Sequence, residues 1–113
     1  MKITIGTSVF EATLYDNETA KALKPLLPLT INMTELNGNE KYHYLQSSLP
    51  TKADATGKIQ AGDLMLYGDN YLVLFYKTFN TTYAYTRIGR INDATGLSMA
   101  AGNANVTVTM DLK

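Results

Sequence analysis

The architecture of this protein turns on GDLMLYGDNYLVLFYKTF, residues 62–79. Between Leu64 and Phe79 nearly every position is apolar or aromatic, apart from a Gly68-Asp69-Asn70 break. Two strands joined by a three-residue connection fit this pattern, because such a connection needs a Gly or Asn in the left-handed region. A strand with one wet face alternates apolar and polar residues, whereas a continuous apolar run is covered on both faces. The run could line either a plain core or the wall of a binding site, and the core is the reading preferred. Residues 64–67 and 71–76 are therefore expected to form a central hairpin, with the main core on one face and a helix or loop on the other.

Outward from this hairpin the signal changes to strict alternation. In NVTVTMDL, Val106, Val108, Met110 and Leu112 alternate with Thr107, Thr109 and Asp111, which marks a strand with one wet face. The same parity turns Ile3 and Ile5 inward, then Phe10, Ala12 and Leu14, with Gly6-Thr7 as the hairpin between them. LTINMTEL repeats it with Leu29, Ile31 and Met33 inward. Asn37-Gly38 is a turn signal, KYHYL reads as a short strand, and residues 47–58 form the longest loop. In TYAYTRIGRI, Tyr83, Tyr85 and Arg87 share one face, and Ala84, Thr86 and Ile88 the other.

One helix is expected in DNETAKALKPLL. Asp16 or Asn17 can cap it, Glu18 sits in its positive first turn, and Ala20, Leu23 and Leu27 make the apolar stripe. Pro25 lacks an N–H and crowds the preceding turn, so the regular helix ends at or before Lys24. A second helical turn is expected between Asp93 and Ala101, capped by Asp93 and closed by Gly102. About eight short strands, one or two short helices and no βαβ rhythm predict a mainly β fold. The predicted form is an antiparallel barrel, closed or nearly closed, with a helix plugging an open end.

Composition narrows the function classes. The 113 residues suit one domain, 1–113, able to bury roughly two thirds of the surface its unfolded form exposes. Ten basic and ten acidic side chains balance without forming blocks, which argues against nucleic acid or an anionic membrane as partner. Without cysteine there is no disulfide, no thiolate metal site and no cysteine nucleophile. No apolar run is long enough to span a bilayer, and MKITIG enters an alternating pattern at once instead of a leader's apolar run. The expectation is a cytoplasmic protein, with export after removal of a leader also compatible.

The blocks LNGNEKYHYL (36–45), GDLMLYGDNYLVLFY (62–76) and TRIGRI (86–91), in that order, resemble the small bacterial cyclophilin-like proteins, whose family function is not established. The resemblance runs from Lys2 to Leu112 and implies a cyclophilin-type barrel of eight strands with helices at its ends. It also raises prolyl isomerisation, a reaction whose barrier of about 20 kcal/mol comes from amide resonance. True cyclophilins are understood to use an arginine with a phenylalanine-lined pocket, a glutamine, a histidine and usually a tryptophan. Here the nearest counterpart of their aromatic-His-Arg run is Tyr42-His43-Tyr44, with tyrosine in the arginine's place, and there is no Trp. The resemblance thus implies an incomplete isomerase pattern, and no catalytic residue is assigned.

What remains is binding. His43 is the sole histidine and the acids do not cluster in sequence, so no metal and no cofactor is expected. Neither a Gly-x-Ser-x-Gly elbow nor a phosphate loop is present. Eight tyrosines are the informative feature, because Tyr joins a large apolar body to a polar tip. Tyr42 with Tyr44, and Tyr83 with Tyr85, each share a strand face. The expected ligand site is an outer groove of His43, Phe79, Tyr83 and Tyr85, with Arg87 available to hold a carboxylate or peptide carbonyl. The reading is a non-enzymatic module for a small molecule or peptide, monomeric or weakly associating. A residual prolyl isomerase and an accessory partner of another enzyme are the alternatives.

Overall fold

A computed structural model describes residues Met1–Lys113. In chain order the elements are β1 Lys2–Ile5, β2 Ser8–Leu14, α1 Glu18–Leu23, β3 Leu29–Leu36, β4 Glu40–Tyr44, β5 Asp54–Ala55, β6 Lys58–Ile59, β7 Asp63–Tyr67, β8 Tyr71–Phe75, β9 Phe79–Asn80, β10 Ala84–Ile91, α2 Leu97–Ala101 and β11 Val106–Asp111. Eight strands run β2-β1-β11-β3-β4-β8-β7-β10, and β10 pairs back onto β2, closing an antiparallel barrel. The predicted barrel and its strand number are present.

Closure depends on a glycine. A bulge between Arg87 and Gly89 shifts the register of β10 on β7, and Gly89 then lies opposite Leu14 of β2. A Cβ on Gly89 would stand 2.4 Å from the Thr13 carbonyl oxygen. Only a residue without a side chain lets the two backbones approach this closely.

The interior holds most of the apolar set predicted by alternation: Ile3, Ile5, Phe10, Ala12, Ile31, Met33, Val108 and Met110 are buried in one cluster, and Leu14, Leu29 and Val106 pack half-buried against it, whereas Leu112, past the end of β11, is exposed. Leu64, Leu66, Leu72 and Leu74 of the β7–β8 hairpin join it. Asn17 caps α1, its side-chain oxygen accepting the N–H of Ala20 at 2.8 Å, and α1 commits Ala20 and Leu23 to the core. A single 3₁₀ turn, Lys24–Leu26, carries Pro25 after the helix. The second helix differs from expectation. Its first residue is Leu97, because Gly96 sits at φ 83°, outside helical space. Asp93 instead accepts the N–H of Thr95 at 3.0 Å in a local turn, so it caps no helix.

The alternate residues of the central hairpin face outward and are also buried. Met65, Val73 and Phe75 pack with Ile59 and Tyr85 in a second, smaller cluster. The long loop is drawn across this face where β6 pairs with β9, Ile59 opposite Phe79. A loop, not a helix, therefore supplies the outer cover of the hairpin. No helix in the molecule is long and apolar enough to cross a membrane.

Candidate functional site

Strand periodicity builds the site. Along β4 the side chains of Glu40, Tyr42 and Tyr44 fall on the outer face, while Lys41 and His43 take the other. Pairing with β8 sets Tyr44 opposite Tyr71 and Tyr42 opposite Val73, and β7 sets Tyr67 opposite Tyr71 across the hairpin turn. Tyr85 of β10 and Tyr83 just before it complete the row.

Six tyrosine rings consequently form a continuous wall. Tyr42 stacks on Tyr71 with centroids 5.9 Å apart and planes at 20°. Tyr44 meets Tyr71 at 4.1 Å, edge-on, and their hydroxyls hydrogen-bond to one another. Tyr67 links this group to the far side, 5.9 Å from Tyr71 and 5.5 Å from Tyr85, with Tyr83 6.1 Å beyond it. Such offset and edge-on pairs are the favourable aromatic geometries. The hydrogen bond with Tyr44, then burial, raises the Tyr71 phenol above its ordinary range.

The wall encloses a concavity of about 380 Å³. Val73 and Tyr85, both buried in the second cluster, belong to its lining, whereas Tyr44, Tyr67 and Tyr83 are exposed at its edge. Leu36 and Asn37, at the turn between β3 and β4, complete one end. Asn37 and Gly38 both have positive φ there, 58° and 69°, as the Asn-Gly signal required.

One lining residue is charged. Glu40 is 9 % exposed, yet none of the three ion pairs includes it. No hydrogen bond contributes to its titration either: burial, then the charge of Glu35, push its carboxyl up to about 6. Burial, then the charge of Glu40, push the Tyr85 phenol up to about 12. Glu35 is the opposite case. Its own desolvation is outweighed by hydrogen bonds from Lys41, Tyr76 and the Gly38 N–H, and its carboxyl lies below the ordinary range.

The five residues expected from sequence occupy several places. Tyr83 and Tyr85 both line the concavity. Phe79 packs on Phe75 at 5.7 Å against the second cluster, outside the lining. His43 lies in a separate depression with Ile31 and Leu45, its Nδ1 3.1 Å from the Asn32 carbonyl oxygen. Arg87 borders two other depressions, near Asp63 and Arg90 on one side and Asp16 on the other. The concavity adds Glu40, Tyr42, Tyr44, Tyr67 and Tyr71. The first three show their common face as every second residue of one strand, but joining them to Tyr67 and Tyr83 requires the strand order.

No three His, Asp or Glu side chains come together as metal ligands would. No curated protein and no solved structure matches the chain. A family model described as the cyclophilin-like family matches residues 3–111, all but the extreme ends of the sequence, on a closed eight-stranded barrel with two short helices; the protein belongs to the cyclophilin-like family.

Proposed function

We propose that the protein is a binding module that holds a small organic molecule or a peptide side chain in the tyrosine concavity and catalyses no reaction. One observation carries this reading. Six tyrosines from four separate segments converge on one concavity of about 380 Å³, within the range of small-molecule sites. Five of the six stand on barrel strands, so the wall is preformed and its ordering is largely complete before a ligand arrives. Prolyl isomerisation receives less support, because no arginine lines the concavity and the nearest depressions that hold Arg87 contain no phenylalanine.

The test is a thermal-shift screen against proline peptides, flavins, nucleotides and common metabolites, run beside a protease-coupled prolyl-isomerase assay. The expected result is a reproducible upward shift with one chemical class, absent in Tyr83→Ala, and no acceleration of isomerisation. Isomerase activity, or a shift that Tyr83→Ala leaves intact, would contradict the reading.

A further inference from the structure

Glu40 is the anomaly of the aromatic wall. Its side chain is largely covered and its carboxylate oxygens open only onto the concavity side of the fold, where a partly desolvated charge normally accepts hydrogen bonds or faces a cation. Glu35 on the neighbouring strand has both, with Lys41 Nζ 2.8 Å from Oε1 and the Tyr76 hydroxyl 2.7 Å away. Glu40 has neither, and it lines a concavity in which it is the sole charged residue. The single buried lysine of this region, Lys41, is committed to Glu35 and to the carbonyls of Gly102 and Ala104 on the other face of β4. The chain itself therefore leaves the negative charge of Glu40 without a counterion.

The surrounding rings have the matching property. The face of a tyrosine carries the negative part of its quadrupole and attracts a cation lying over it. Tyr42, two residues from Glu40 on the same strand, stacks nearly parallel with Tyr71 of β8, and Tyr67 and Tyr83 bound the opposite side. Resting on the binding-module reading above, we propose that the concavity selects an organic cation, an alkylammonium or guanidinium group, whose charge faces Glu40 and whose alkyl part lies against the tyrosine rings. Either a free metabolite or a basic peptide side chain presents this chemistry. A strongly hydrated inorganic ion does not, because it would leave the apolar part of the wall unused.

The test is a protein-observed NMR titration of the whole chain with two pairs of probes. Choline is compared with its uncharged tert-butyl isostere, and N-acetylarginine amide with N-acetylcitrulline amide. At least one cation should bind about tenfold or more tightly than its isostere, the factor expected for a cation–aromatic contact aided by a partly desolvated carboxylate. The preference should fall below about twofold in Glu40→Gln, and Tyr83→Ala, an exposed position, should weaken the same cation severalfold. Preference for choline alone identifies a free ammonium ligand, and preference for the arginine probe a peptide one. If isosteres move the tyrosine resonances as well as the cations do, the binding site stands and cation selection is overturned. If none of the four probes moves Tyr42, Tyr71 or Tyr83, cation selection is overturned, while the binding-module reading is decided by the broader thermal-shift screen.

Discussion

Glu35 and Lys41 lie directly opposite each other across β3 and β4, and Lys41 Nζ stands 2.8 Å from Glu35 Oε1 with no exposed surface on the lysine side chain. The ammonium also donates to the Gly102 and Ala104 carbonyls, at 3.1 and 2.5 Å, and lies 5.0 Å from the Tyr76 ring centre. This pair fixes the segment after α2 to the β3–β4 end of the barrel. Removing one partner leaves a buried charge unmatched, so Glu35→Gln should destabilise the fold by about 3 kcal/mol. For a domain of this size that is a fall in Tm of about 10 °C. The double variant Glu35→Leu with Lys41→Met should recover most of the loss. Denaturant unfolding of the three proteins checks this; a Glu35→Gln loss below about 0.5 kcal/mol, the range of ordinary surface changes, would contradict it.

Glu40 should give stability a pH dependence of unusual sign. Its carboxyl titrates near 6 in the folded state against an ordinary value of 4.5, so between these values the folded protein holds more protons than the unfolded one. Stability from this group is present at low pH and declines as pH rises through about 6. Glu35 on β3, its carboxyl held below the ordinary range, stays ionised through that interval, and the Tyr85 phenol, pushed up to about 12, stays neutral, so the change belongs to the Glu40 carboxyl. Glu35 runs the other way, losing stability as pH falls through its lowered value. Glu40→Gln should therefore be more stable than the parent by about 1–2 kcal/mol at pH 7.5, with the difference vanishing near pH 4.5. Equal stabilities at every pH would overturn the assignment.

Gly89→Ala tests the seam. The new methyl would meet a backbone oxygen at 2.4 Å, which no rotamer change relieves, so β10 and β2 must separate. The expected loss is about 3 kcal/mol, at the upper end for overpacking, with amide exchange accelerated along β2 and the end of β10. Gly38→Ala, which meets no atom within 4 Å, serves as the comparison and reports left-handed strain alone.

Tyr83 and Tyr85 share a segment but differ in role. Tyr85 is 4 % exposed within the second cluster and Tyr83 is 62 % exposed at the edge of the concavity. Tyr85→Ala should lower stability by about 3–4 kcal/mol. Tyr83→Ala should stay within about 0.5 kcal/mol of the parent while weakening ligand binding. Urea unfolding of both, with binding measured on Tyr83→Ala, separates core from site.

Much of the barrel was legible because its signal is local. Alternation from Ile3 to Leu14, from Leu29 to Met33 and from Val106 to Met110 names the inward residues one strand at a time, and the run from Leu64 to Tyr76 names the doubly covered hairpin. The cover on that hairpin was not legible, because Ile59 and Phe79 meet only through strands of two residues each. The site was half legible for the same reason. Period two puts Tyr42 with Tyr44, and Tyr83 with Tyr85, but only the order β4-β8-β7-β10 brings the pairs into one wall around Tyr67 and Tyr71. His43 and Arg87 illustrate the converse: sequence spacing sets them beside the tyrosines, while strand parity turns His43 to the other face of β4, and Arg87, two residues along β10 from Tyr85, borders other depressions. Asp93 looked like a helix cap only as long as Gly96 was allowed a helical φ.

The central claim is that the tyrosine concavity is the binding site of this barrel. Its most direct measurement is a protein-observed fragment screen by NMR, with the aromatic resonances of all eight tyrosines assigned. The account predicts that hits concentrate their shifts on Tyr42, Tyr44, Tyr67, Tyr71 and Tyr83, leaving Tyr15 and the surroundings of His43 and Arg87 unmoved. Hits that gather instead around His43 or Arg87, or a screen without hits at the tyrosine wall, would contradict it.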